Sequence, residues 1–189
     1  MKKGLIIAAA MILAVCLGVG GTLAYLFVTS GPITNTFSPS NIALDLSETT
    51  NNYKMIPGEE IAKDPKVTVT TDVASYVFVK IDKSSNYDDY LVQYVVATGW
   101  TPLAGVNGVY YRAVDEAEAT AGKTFEVLQG NKVTVKSDVT KSNMNALYNG
   151  TAVNTAACPT LTFTAYAIQQ AGFDNAADAW PVALAQQNP

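Results

Sequence analysis

Lys66-Val67-Thr68-Val69-Thr70-Thr71-Asp72-Val73-Ala74-Ser75-Tyr76-Val77-Phe78-Val79-Lys80-Ile81 is the stretch on which the fold turns. Val67 and Val69 alternate with Lys66, Thr68 and Thr70, and Val77, Val79 and Ile81 point opposite to Tyr76, Phe78 and Lys80. An apolar period of two puts successive side chains on opposite faces, which is strand geometry. The same period recurs along the chain. Ile42, Leu44 and Leu46 alternate with Ala43 and Asp45, and Val133 and Val135 alternate with Lys132, Thr134 and Lys136. Leu161, Phe163, Ala165 and Ala167 face away from Thr162, Thr164 and Tyr166. Residues 91–96, 108–114 and 124–128 are less regular, but their Val, Tyr and Phe content also favours strand.

Turn chemistry separates these runs. Pro57-Gly58, Asn107-Gly108, Gly130-Asn131 and Asn149-Gly150 each supply a positive or a preset φ. Gly130-Asn131 is the tightest of them and predicts a hairpin joining 124–128 to 132–136. Eight short strands with one-sided alternation predict an all-β chain, an antiparallel sandwich and not a parallel sheet covered on both faces. Helix is sparse. Residues 142–147 allow a turn or two capped by Ser142, and Asp174 can cap a short C-terminal helix through Ala176, Ala177 and Ala179 with Trp180 as its anchor. Pro181 ends or kinks that helix, or restarts it over 182–187.

The first residues read as an export signal. Lys2 and Lys3 precede an apolar run over 5–19, and Gly20-Gly21 then weakens the helix. Thr22 and Ala24 put small residues at the −3 and −1 positions of a peptidase site, so cleavage falls between Ala24 and Tyr25. The resulting organisation is a signal helix over 1–24, an N-terminal arm over 25–40 and a β-sandwich domain over 41–189. Two other readings stay open, a retained anchor over 5–28 and a lipid-modified Cys16. All three export the rest of the chain. The membrane is then a partner of the precursor, or of the mature protein if the apolar segment is retained.

Composition narrows the function. The chain of 189 residues carries twelve basic and sixteen acidic side chains, and without Lys2 and Lys3 the balance is −6. A single arginine, Arg112, and no basic face leave nothing to neutralise phosphates, so nucleic acid is not a partner. Histidine is absent, which removes zinc sites built on His, the Ser-His-Asp and Cys-His arrangements, and any His proton shuttle. Cys158 is the one thiol outside the apolar segment and reads as a small buried residue. Asp88-Asp89, Asp115-Glu116-Ala117-Glu118 and the Asp174/Asp178 pair are oxygen clusters without the spacing of a calcium loop. No catalytic residue, no metal ligand and no cofactor is assigned.

Several blocks taken together carry a family likeness. Gly20-Gly21-Thr22-Leu23-Ala24-Tyr25-Leu26, Asn35-Thr36-Phe37 and Asn41-Ile42-Ala43-Leu44-Asp45-Leu46 resemble the SipW-dependent signal region of the TasA and camelysin-like exported proteins of Gram-positive bacteria. Pro57-Gly58 followed by Lys63-Asp64-Pro65-Lys66-Val67-Thr68-Val69 is similar to a second block of that family, and the run from Leu161 to Gln169, ending near Ala179-Trp180, resembles its closing strand. The resemblance implies a secreted jelly-roll-like β-sandwich at the cell surface or in the extracellular matrix, with signal peptidase as its partner during export. Some members form biofilm fibres and some carry a metalloprotease label. A zincin needs two histidines one helical turn apart, so that label does not transfer to this chain.

What remains is a surface or matrix protein that associates with itself or with other matrix proteins. Cleavage after Ala24 frees an arm over 25–37 that contains Leu26, Val28, Ile33 and Phe37, with a bend at Gly31-Pro32. Such an arm can add as a strand to an open sheet edge, on the next molecule or on its own. The alternative function is a carbohydrate-binding surface module, with Trp100, Tyr110 and Tyr111 as stacking platforms. The two differ in what they need: coplanar rings on one accessible face, or an open sheet edge.

The processing step is checked by N-terminal mass spectrometry of exported protein, which should read Tyr25 as the first residue. Thr22→Trp or Ala24→Leu puts bulk where the peptidase pocket is small and should leave a membrane-bound precursor. A mature chain beginning at Met1 or at a lipidated Cys16 overturns the assignment.

Overall fold

A computed structural model describes residues 40–50 and 53–186. The signal segment, the cleavage residues Thr22, Ala24 and Tyr25, and the arm residues Leu26, Val28, Ile33 and Phe37 lie outside the described residues. The described chain belongs to one compact unit beginning at Pro39. It is mostly β, and every ladder is antiparallel.

Three strands form the first sheet. β1 (Ile42–Ser47) and β7 (Lys123–Glu126) flank β3 (Lys66–Thr71). Four form the second, in the order β11 (Leu161–Gln169), β4 (Ser75–Lys83), β6 (Val109–Val114), β5 (Thr101–Pro102). Two short ladders stand apart, β2 (Glu60–Ala62) with β8 (Lys132–Thr134), and β9 (Tyr148–Asn149) with β10 (Ala152–Val153). Pro102 sits on an edge strand, where its missing N–H breaks no central ladder.

The chain changes sheets between β3 and β4, at residues 72–74. Thr71 and Ser75 are both buried at this corner, and their hydroxyl oxygens lie 3.1 Å apart. Each hydroxyl also donates to the Val73 carbonyl, at 2.8 and 3.0 Å. Burying these groups unpaired would cost roughly 1–3 kcal/mol each, so the hydroxyls are what make a dry corner affordable.

Alternation then sorts residues into cores. Val67 and Val69 of β3 and Phe125 of β7 meet Val77, Val79 and Ile81 of β4 and Val114 of β6, so the two larger sheets face each other across this first core. The opposite face of β4 is also apolar. Phe78, with Tyr166 and Ile168 of β11, is covered by a C-terminal helix, α4 (Ala176–Ala185). That helix buries Ala176, Ala179, Trp180 and Ala183, which share one helical face. A third core beneath the β2–β8 ladder joins Leu128, Val133 and Val135 to two short helices, α1 (Tyr87–Tyr90) and α3 (Lys141–Asn145). A further short helix, α2 (Glu116–Ala119), buries Ala119 against the first core.

Several local expectations are corrected. Gly130-Asn131 does not close a hairpin, because β7 pairs with β3 and β8 pairs with β2. Gly130 (φ 69°) and Asn131 (φ 51°) instead turn the chain from one ladder to another. Residues 91–96 form no strand and touch the ladders only through the single bridges Leu91–Val135 and Val96–Leu128. Helix α3 is capped by Thr140, not Ser142, through a reciprocal bond pair with Asn143. Helix α4 is capped by Asn175, not Asp174; its Oδ1 accepts from the Ala177 and Asp178 amides at 2.9 and 3.1 Å. Pro181 neither ends nor restarts that helix. It sits on the exposed side, as does Ala177, whose carbonyl it leaves without an amide partner.

Trp180 should therefore be the anchor of the outer layer. Trp180→Ala should cost about 3–5 kcal/mol in urea unfolding, the range for a buried aromatic truncated to Ala. Val182→Ala, on the exposed side of the same helix, should stay within about 0.5 kcal/mol. Equal effects from the two would mean that α4 does not hold the sheet through Trp180.

Candidate functional site

Two strands at one side of the two sheets make the site. β1 is an edge of the three-stranded sheet and β11 an edge of the four-stranded sheet, and they approach each other without sharing a ladder. A groove of about 690 Å³ runs between them, floored by Ile42, Leu44 and Ala167 and walled by Phe173 and Val182. Ile42 and Leu44 are half-buried and pack on the first core. They point inward because their register partners Thr71 and Val69 do. Ser40 and Asn41, the first described residues, also line the groove. Asn41 is held there, its amide donating to Asp72 Oδ1 at 2.8 Å.

The aromatic residues singled out in the sequence do not come together. Trp100 is buried, its Nε1 donates to the Glu126 carbonyl at 2.8 Å, and its ring meets Phe125 edge-on. Tyr110 and Tyr111 are neighbours on β6 and so lie on opposite faces of the sheet, Tyr110 against the first core and Tyr111 against the second. The coplanar platform that sugar stacking needs is therefore not formed by these three rings. Tyr76, Phe78 and Tyr166, on the outer face, pack beside or beneath α4.

Charged groups are paired rather than clustered. Asp88 holds Lys83 at 2.8 Å, Glu118 holds Lys123 at 3.4 Å, and Asp178 accepts from the Asn175 side chain at 2.7 Å. Among the described residues no three Cys, Asp or Glu side chains converge on a common point. Arg112 lies 4.2 Å from the Phe125 ring centre and donates to the Gly99 and Thr98 carbonyls at 3.2 and 2.8 Å. Burial pulls its guanidinium below the ordinary arginine value. Gly99 has φ +93°, and a Cβ there would stand 1.7 Å from Arg112 Nη2, so this turn requires glycine.

One polar group was not legible in the sequence. Lys63 is buried, and its Nζ donates to both carboxylate oxygens of Glu48 at 2.8 and 3.0 Å. The ammonium also lies 4.8 Å from the Tyr53 ring centre and 5.2 Å from that of Phe163. Lys63 and Glu48 are fifteen residues apart, and nothing local marks the pair. Asp64 next to it is held below the usual carboxylate range, chiefly by the Thr49 hydroxyl and then by the Thr49 amide.

Comparison with known proteins gives no family model, no curated relative and no solved structure that matches this chain.

The tyrosines around the third core set an alkaline limit. Burial, then the Asp88 charge, pushes Tyr87 up to about 12, and burial, then Glu48, pushes Tyr53 to about 12. Burial, then Tyr110, raises Tyr94 as well. An unfolded tyrosine ionises near 10.0, so above that value the unfolded chain loses protons that the folded chain keeps. The contribution is fully present below about pH 10 and is lost as pH rises through about 12. Stability measured by urea unfolding should fall over this window as tyrosinate absorbance rises, and the fall should be shallower in Tyr87→Phe. An unchanged slope in that variant would show that Tyr87 is not responsible.

Proposed function

We propose that this chain is an exported cell-surface or extracellular-matrix subunit that assembles by strand addition, with a jelly-roll-like fold and no catalytic role. The arm over 25–37 of one copy enters the seam between β1 and β11 of the next. The observation that carries the reading is the seam itself: a groove between the two edge strands β1 and β11, lined by Ile42, Leu44 and Ala167 together with the polar Ser40, Asn41 and Gln169. The likeness of the signal region and closing strand to the TasA and camelysin-like exported proteins supports the same reading, as does a histidine-free composition, which removes zincin and Ser-His-Asp hydrolase sites.

Geometry decides between closed and open assembly. An arm that pairs with its own domain completes a monomer. An arm that pairs with a neighbour makes a head-to-tail contact that need not close, hence a filament. Before cleavage the start of the arm is tied to the apolar segment in or beside the membrane, so signal peptidase becomes the release step. Burying Leu26, Val28 and Phe37 contributes about 1.5–3 kcal/mol each. Ordering the arm costs roughly 1–2 kcal/mol per fixed residue, which over its whole length exceeds that gain, so the joint is favourable only if the backbone bonds as well.

The test is electron microscopy and light scattering of the mature chain beginning at Tyr25. Filaments should grow with concentration, should vanish on deleting residues 25–32, and should weaken in Val182→Glu, which puts a charge on the 41% exposed wall of the groove. Excess free 25–37 peptide should cap the ends. A mature chain that stays monomeric at high concentration, or a deletion that polymerises equally well, rejects strand donation.

A further inference from the structure

A second concavity lies away from the residues of the seam. A cavity of about 900 Å³ opens between the β2–β8 ladder, the β9–β10 hairpin and the start of β11. Leu147 is buried in its floor, and Met55 and Met144 are half-buried in its wall. Its rim carries Ile56, Tyr148 and Val153, exposed at 59, 50 and 53%. Single exposed apolar side chains are ordinary on a protein surface. Three of them around one mouth mark a contact site.

The wall specifies what kind of occupant fits. Its charged pair is already satisfied, since Lys63 and Glu48 bond each other beneath the Tyr53 and Phe163 rings. The Tyr87 hydroxyl donates to the Val92 carbonyl at 3.4 Å, and the Cys158 thiol to the Asn154 carbonyl at 3.5 Å. A peptide lodged deep in the wall would have to desolvate backbone groups beside Lys63, Glu48 and Tyr87, whose polar groups are already engaged, at a cost of about 1–3 kcal/mol for each group left unpaired. An alkyl chain brings no such groups. Methionine thioethers adapt to a flexible chain, and the volume is that of a small-molecule site. At the mouth, Lys54 is exposed and makes no ion pair among the described residues.

We propose that this cavity binds one unbranched acyl chain with an anionic head, the chain against Met55, Met144 and Leu147 and the head beside Lys54. The site is independent of the seam and of strand addition. Its ligand has two sources, a free fatty acid or one chain of an anionic membrane lipid.

Cys158 lines the cavity and reports its occupancy without interference from lipid bound elsewhere on the chain. The full chain carrying Cys16→Ser keeps Cys158 as its single thiol. Dodecanoate should slow alkylation of Cys158 by iodoacetamide severalfold and saturably. The half-saturating concentration should fall about fourfold for each added methylene. Dodecanol should protect at higher concentration than dodecanoate, and Lys54→Gln should erase that difference. Ile56→Asp combined with Val153→Asp changes exposed positions only and should abolish protection by both ligands. Protection by phosphatidylglycerol vesicles but not by dodecanoate assigns the chain to a membrane lipid; protection by dodecanoate but not by vesicles assigns it to a free acid. An alkylation rate unmoved by either, protection independent of chain length, or equal protection in the Ile56→Asp/Val153→Asp variant overturns the proposal.

Discussion

Phe78 meets Trp180 with ring centres 5.3 Å apart on one face of β4, while Val77 and Val79 on the other face are fully buried between the sheets. A strand apolar on both faces must be covered twice, and no single layer does that. The facing sheet provides one cover and α4 the other. Because β4 is paired along its whole length with β11 and over six residues with β6, both covers are referred to the same strand. The second core is thus not an ornament on a two-sheet protein. Tyr166 and Ile168 would otherwise present a continuous apolar patch to water.

Covering both faces leaves the edges. β5 ends the larger sheet after two residues with Pro102, and β7 ends the smaller one after four, opening with exposed Lys123. Short, charged or proline-bearing edges discourage further pairing. β1 and β11 are different: six and nine residues long, without proline, and gathered at the same side. A corner satisfied by the Thr71 and Ser75 hydroxyls makes the asymmetry possible, because it lets β3 and β4 belong to different sheets with no loop between them long enough to cover an edge.

Electrostatics here restrict more than they drive. The exposed ion pairs, such as Lys80 with Asp82 at 2.8 Å, contribute at most about 1 kcal/mol each. Three cations lie against rings among the described residues, Arg112 on Phe125 and Trp100, Lys63 on Tyr53 and Phe163, and Lys83 on Tyr87. Each closes a boundary of the first or third core with the apolar stem of a long side chain.

Local pattern and long-range pairing divide the information. From residues alone one reads that β1, β3, β4, β6, β8 and β11 are strands and that Trp180 anchors a C-terminal helix, since alternation and helical spacing are properties of neighbouring residues; that β4 is covered on both faces, Phe78 as well as Val77 and Val79, is set by the helix that packs on it. Absence of histidine is equally a matter of sequence, and it removes whole classes of chemistry. Partners are another matter. Whether 124–128 turns back onto 132–136 or leaves for β3, whether 91–96 joins a ladder, and whether Trp100 faces water were decided by contacts between residues far apart in the chain. The same holds for the seam and the 900 Å³ cavity, each a space between elements that no local run encodes. A strand's period is set by its own backbone, but the edge it leaves open is set by which other strands reach it first.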